Sequence, residues 1–167
     1  MLDNFLKDKT LLNDLFDLLR IPSISGNEAH LEDMQKMALL WADKLLGIGM
    51  DRAEVYQTEG NPVTYAEKII DPKKPTVLVY AHMDVMPVDP IELWDTNPFE
   101  PEIKDGKIWA RGADDDKGQS YIHFKAVEYL IKNNLLACNV KFIIEGEEEV
   151  GSQFLPAFID AHKDMLQ

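Results

Sequence analysis

Val77-Leu78-Val79-Tyr80-Ala81-His82-Met83-Asp84 decides how the rest of the chain is read. Its apolar, mostly β-branched or aromatic run predicts a strand driven into a core. The run stops at a histidine, a spacer and an aspartate. Side chains alternate along a strand, so His82 and Asp84 share a face. An imidazole there can bind a metal or a proton, and a carboxylate beside it can orient it. Taken alone the pair is weak ground for a metal site, because a histidine at a strand end is more often structural.

Two later stretches, Arg111 to Gly118 and Glu145 to Ser152, also place acids just beyond β-like segments. Asp114-Asp115-Asp116-Lys117-Gly118 opens a helix predicted over 117–133. One aspartate there suits the helix dipole. Three in a row exceed that need, and a carboxylate bridging two divalent ions would relieve their repulsion. Glu145-Gly146-Glu147-Glu148-Glu149-Val150-Gly151-Ser152 follows the apolar run Val140 to Ile144, a predicted buried strand, so its glutamates emerge at the edge of a core. Adjacent glutamates there can divide the labour, one binding metal and the other moving protons. No G-x-S-x-G or H-E-x-x-H pattern competes. Cys138 is the only cysteine, which excludes an internal disulfide and a cysteine-built zinc site.

With 167 residues, 46% apolar and 28% charged, the chain is about one globular domain. Its net charge of −13 argues against a nucleic-acid partner, which needs a basic surface. No apolar run approaches the ~20 residues that span a bilayer, and Met1 to Lys7 lacks a signal-peptide core, so no membrane partner and a cytoplasmic location are expected. Helical spacing predicts a helix over 3–20, ended by Pro22. A second helix starts from Ser25 and Glu28 in capping-box spacing and stops at Gly47. Its stripe is Leu31, Met34, Ala38, Trp41 and Leu45, with His30 at the surface. Strands are predicted over 52–57 and 62–69, a hairpin over 102–110 around Asp105-Gly106, and a helix over 154–166. Met86 to Pro101 is a long irregular segment, the kind of loop that is functional or packed by its own side chains. The strand–helix–strand order predicts an α/β fold: a mainly parallel or mixed sheet flanked by helices, with ligands beyond the carboxyl ends of its strands.

These motifs together carry a resemblance. Ala81-His82-Met83-Asp84-Val85, then Trp94 with Asn97-Pro98-Phe99, then Asp105 through Gly118, then Asn139 through Ser152, match in order and spacing. The chain resembles the dinuclear zinc metallopeptidases that include carnosine dipeptidases, aminoacylase, carboxypeptidase G and succinyl-diaminopimelate desuccinylase, and within them the cytosolic dipeptidase branch. The resemblance implies a zinc-peptidase-like catalytic domain and two Zn2+ per complete site, with Mn2+ or Co2+ as alternatives. It assigns His82 to one metal, Asp84 to orienting His82, Asp115 to bridging both metals, Glu148 to general base and Glu149 to the second metal. It gives Glu147 no role and makes the Asp115–Asp116 bond cis. The implied reaction is hydrolysis of a peptide or amide bond in a small peptide or N-acyl amino acid.

Members of that family are far longer. They add a further metal-binding carboxylate, a distant histidine and a lid domain that mediates dimerisation. His162 lies too close to the glutamates to be that histidine. Residues 1–167 are therefore expected to be the N-terminal part of an incomplete catalytic domain, inactive or nearly so alone, from a parent that is a homodimer through its lid. The competing expectations are a naturally shortened, non-catalytic metal-binding or interaction module, and phosphoester hydrolysis at a two-metal site.

Overall fold

The structure is a computed structural model that describes Leu2, Asp8 and residues 10–166. Its centre is a four-stranded mixed sheet in the order β1-β2-β6-β3. β1 (Arg52–Tyr56) and β2 (Val63–Lys68) form an antiparallel hairpin, and β2 pairs antiparallel with β6 (Asn139–Glu145). β3 (Thr76–His82) lies parallel to β6, with His82 opposite Glu145. The mixed sheet follows from the connections. A short turn joins β1 to β2, whereas a crossover helix joins β3 to β6.

Helix α1 (Asn13–Leu19), α2 (Leu31–Gly47) and α3 (Lys117–Lys132) cover one face. Leu15, Leu18, Met34, Met37, Trp41, Leu45 and Phe124 pack there against Ala66, Ala81, Phe142 and Ile144. Trp41 meets Phe124 edge to face at 5.8 Å, a favoured aromatic geometry. The opposite face is smaller. Val63, Tyr65 and Ile143 pack under Phe158 of α4 (Leu155–Ala161), with Met165 and Leu166 of α5 (Lys163–Leu166) alongside. A separate hairpin, β4 (Glu102–Lys104) and β5 (Lys107–Trp109), turns at Asp105-Gly106.

Several expectations need correction. The predicted helix over 3–20 is helical over Asn13–Leu19, and residues 3–7 and 9 lie outside the described residues. The second helix is preceded by a 3-10 turn, Glu28–His30, and its cap is Asn27, whose side chain accepts from Ala29 N. Ser25 does not serve. Gly47 is the last helical residue of that helix, and the glycine that ends it beyond the cap is Gly49. Gly49 takes the left-handed conformation (φ +101°), and Met50 N closes back on Leu45 O. Leu31, placed in its stripe, is exposed. The helix predicted over 154–166 breaks at His162 into α4 and α5.

The largest correction concerns the opening strand. β3 is not interior but an edge, paired on one side only. Val77, Leu78 and Tyr80 are 49%, 44% and 51% exposed, while Ala81, His82, Met83 and Asp84 are buried. The strand is held at its carboxyl end. Beyond it, Val85 pairs with Ser23 and Ile24, and Ser23 Oγ donates to Met83 O at 2.7 Å. The long segment after Asp84 is held partly by its own Trp94 and partly by Arg111, which lies beyond it. Arg111 stacks on Trp94 at 5.1 Å and donates to Pro87 O, and Trp94 Nε1 donates to Val88 O.

Candidate metal centre

The site sits where the parallel pair β3 and β6 ends and α3 begins, the place at which loops converge in sheets of this kind. His82 is the last residue of β3. Its Nε2 lies 3.0 Å from Asp115 Oδ1 and 3.9 Å from Glu148 Oε2. Its Nδ1 lies 3.1 Å from Asp84 O and 3.3 Å from Asp84 Oδ1. One nitrogen is thus held from behind and the other is turned to the open side, the arrangement of a metal-binding imidazole.

Asp84 does more than face His82. It is fully buried, and its two carboxylate oxygens accept from Glu148 N at 3.2 Å and Glu149 N at 3.0 Å. Those amides open the 3-10 turn Glu148–Val150, so one buried carboxylate fixes both the histidine and the glutamate turn. His82, Asp115 and Glu149 each offer a donor atom, and these atoms lie within 4.8 Å of one another. They are the residues expected to bind metal, and Glu148 stands beside them, half exposed at its side chain (45%). An imidazole with two carboxylates is a donor set that suits zinc and related divalent ions, so the residues present fit a metal.

The aspartate turn is built from close approaches. The Asp115–Asp116 bond is cis, as expected. Asp116 caps the start of α3, yet its carboxylate accepts from His82 N at 3.1 Å instead of a helix amide. A Cβ at Gly118 would lie 1.9 Å from Ala113 O, so only glycine lets the turn fold back on the helix. Lys117 is wholly buried and donates from Nζ to Ile21 O (2.8 Å) and Leu18 O (3.1 Å), tying the end of α1 to the turn.

Electrostatics mark the same place. Burial disfavours a charged His82, but contact with Asp84 and the charges of Asp84, Asp116 and Asp115 outweigh it and push the imidazole up to about 9. Burial raises Glu149, with Asp115 and other acids adding to it, and burial also raises Asp116. Burial pulls Lys117 down to about 7 against the charge of Asp84. A cation placed among these acids would relieve their mutual repulsion.

Three features were not anticipated from the residues. Glu145 is buried, accepting from Tyr80 Oη (2.5 Å) and Ser152 Oγ (2.9 Å). Glu147 is buried and turned away from the other two glutamates. Lys117 is an internal cation, and a lysine at the first position of a helix, against the dipole, was the available signal. His162 lies in an aromatic cluster with Tyr56 and Phe158, its Nδ1 2.8 Å from Phe158 O, and takes no part in the site.

The profile of "Peptidase family M20/M25/M40" matches residues 78–166, from β3 through both acidic turns to α5. The chain belongs to this family. It is 36% identical over 144 residues to the Beta-Ala-His dipeptidase of Rattus norvegicus, covering 80% of this chain and 29% of that protein. It is 29% identical over 162 residues to the cysteinylglycine-S-conjugate dipeptidase of Corynebacterium striatum, covering 93% of this chain and 34% of that protein. Among solved structures, the metallo-carboxypeptidase Sso-CP2 of Sulfolobus solfataricus superposes with a TM-score of 0.87 at 37% identity, over 94% of this chain and 35% of that one. Human carnosine dipeptidase 1 superposes with a TM-score of 0.84 at 32% identity, over 95% and 36%. The M20 peptidases are enzymes, and these relatives are named as peptidases. The chain spans about a third of the length of the relatives it matches. Among the described residues, no helix is long and apolar enough to cross a membrane.

Proposed function

We propose that this chain carries the metal-binding corner and general base of a metal-dependent hydrolase that cleaves peptide or amide bonds in dipeptides or N-acyl amino acids. The observation that carries the reading is the convergence of His82, Asp115 and Glu149 within 4.8 Å, with Glu148 beside them. Zinc is the metal proposed, and when bound it would supply an acidified water and a positive charge beside the scissile carbonyl. Asp84 holds His82 with Nε2 turned to the metal. Asp115 and Glu149 supply the carboxylate donors. Glu148 takes a proton from the attacking water and returns it to the leaving amine. Its exposure supports this role, because a base must reach both water and substrate.

These residues supply three donors, enough for one ion with open positions. A second ion, the substrate's side-chain pockets and full turnover are assigned to the whole protein. The test is hydrolysis of a dipeptide and N-acyl amino acid panel by the whole protein loaded with zinc. Turnover that Glu148→Gln removes without loss of metal supports the reading. A metal-loaded protein that hydrolyses none of the panel sinks it.

A further inference from the structure

Of the three adjacent glutamates, Glu147 alone faces inward. A buried carboxylate is costly unless hydrogen-bonded, so its place must be held by something specific. Glu147 is 8% exposed, and its Oε1 accepts from Asn61 N, at 3.1 Å, in the turn between β1 and β2. The two turns are fitted to each other. A Cβ at Gly60 would lie 1.9 Å from Glu147 Oε1 and 2.6 Å from Phe154 Cδ2. A Cβ at Gly146 would lie 3.1 Å from both Asn61 Cβ and Pro62 O. The main chain of Glu147 is committed as well. Its carbonyl accepts from Val150 N (3.2 Å) and Ser152 N (2.8 Å), closing the 3-10 turn that carries Glu148 and Glu149.

We infer that Glu147 is a positioning residue: it clamps the glutamate turn to the β1–β2 turn and so sets the aim of Glu149 toward the metal. The turn is then fixed from two sides, by Asp84 through the amides of Glu148 and Glu149 and by Asn61 through the side chain of Glu147. Asn61 is a firm anchor, because β2 begins two residues later and is laddered to β6. This inference rests on the metal-site reading above.

The test is titration of the metal-free chain with zinc against a chromophoric chelator, together with the visible spectrum of its cobalt form. Glu147→Ala should weaken zinc roughly 10- to 100-fold, the usual effect of losing support behind a ligand, and should change the cobalt spectrum. Gly60→Ala should do the same by displacing the carboxylate. Glu147→Gln keeps an oxygen facing Asn61 N while losing the charge, so it should retain wild-type affinity within about threefold and the wild-type spectrum. Far-UV circular dichroism establishes that each variant is folded. Should Glu147→Ala unfold, Glu147→Met, which keeps the volume but removes the acceptor facing Asn61 N, decides by the same two readouts. A Glu147→Gln variant that loses zinc overturns the inference, since charge and not contact would then be the cause. Wild-type affinity in Glu147→Ala also overturns it while leaving the site intact. No zinc binding by the wild-type chain overturns the site reading itself, and the inference with it.

Discussion

Replacing Asp84 by Asn keeps the shape of the side chain and breaks its chemistry. The carboxylate is fully buried and accepts from two backbone amides, Glu148 N and Glu149 N, while facing His82 Nδ1 at 3.3 Å. An amide offers one oxygen. Its NH2 group must then meet a second donor, so one charge-assisted hydrogen bond is lost and a buried N–H is left unsatisfied. A hydrogen bond to a charged group is worth about 1.5–3 kcal/mol and an unpaired buried donor costs about 1–3 kcal/mol, which together place Asp84→Asn at about 2.5–6 kcal/mol less stable. At roughly 2–4 °C per kcal/mol for a domain of this size, the melting temperature should fall by at least about 5 °C. Thermal melts of the metal-free chain followed by circular dichroism measure this directly. Zinc affinity should fall in parallel by about 10- to 100-fold, because the support behind the imidazole is gone. A melting point within about 2 °C of wild type would refute the claim that Asp84 joins the histidine to the glutamate turn.

Glu148→Gln in the whole protein should leave metal content unchanged and cut turnover by at least about a hundredfold, measured by elemental analysis and dipeptide hydrolysis. In the metal-free chain His82 is raised from its ordinary 6.5 to about 9, so its contribution is complete below pH 6.5 and is lost as pH rises through 9. That contribution is at most ~3 kcal/mol. Lys117, lowered to about 7, acts in the opposite sense above pH 7, so the effect is read as the difference in unfolding free energy between wild type and His82→Gln, which should shrink from pH 6.5 to 9. The uncovered β3 edge, with Val77 and Leu78 exposed, should make the chain self-associate as concentration rises, and Leu78→Lys should suppress this in sedimentation or size-exclusion runs.

Much of the site was legible because strand and turn periodicities are local. The alternation that puts His82 and Asp84 on one face, the hairpin at Asp105-Gly106 and the acids ahead of α3 all depend on neighbours in sequence. The apolar run at 77–81 did not distinguish an interior strand from an edge, because that depends on which strand pairs beside it. Glu147 was unreadable for a similar reason: its partner, Asn61, lies 86 residues away. The helix stop moved from Gly47 to Gly49 because either glycine could close the last turn, and packing of Ile48 and Met50 into the core selected the second. The burial of Lys117 was not legible, because only the folded chain brings Leu18 O and Ile21 O to it.

On the proposed reading, His82, Asp115 and Glu149 together hold one divalent ion. Calorimetric titration of the metal-free chain with zinc, run beside His82→Ala, Asp115→Ala and Glu149→Ala, tests it most directly. One ion should bind per wild-type chain, with affinity at least about tenfold weaker in each variant. Undiminished binding in all three variants would contradict it.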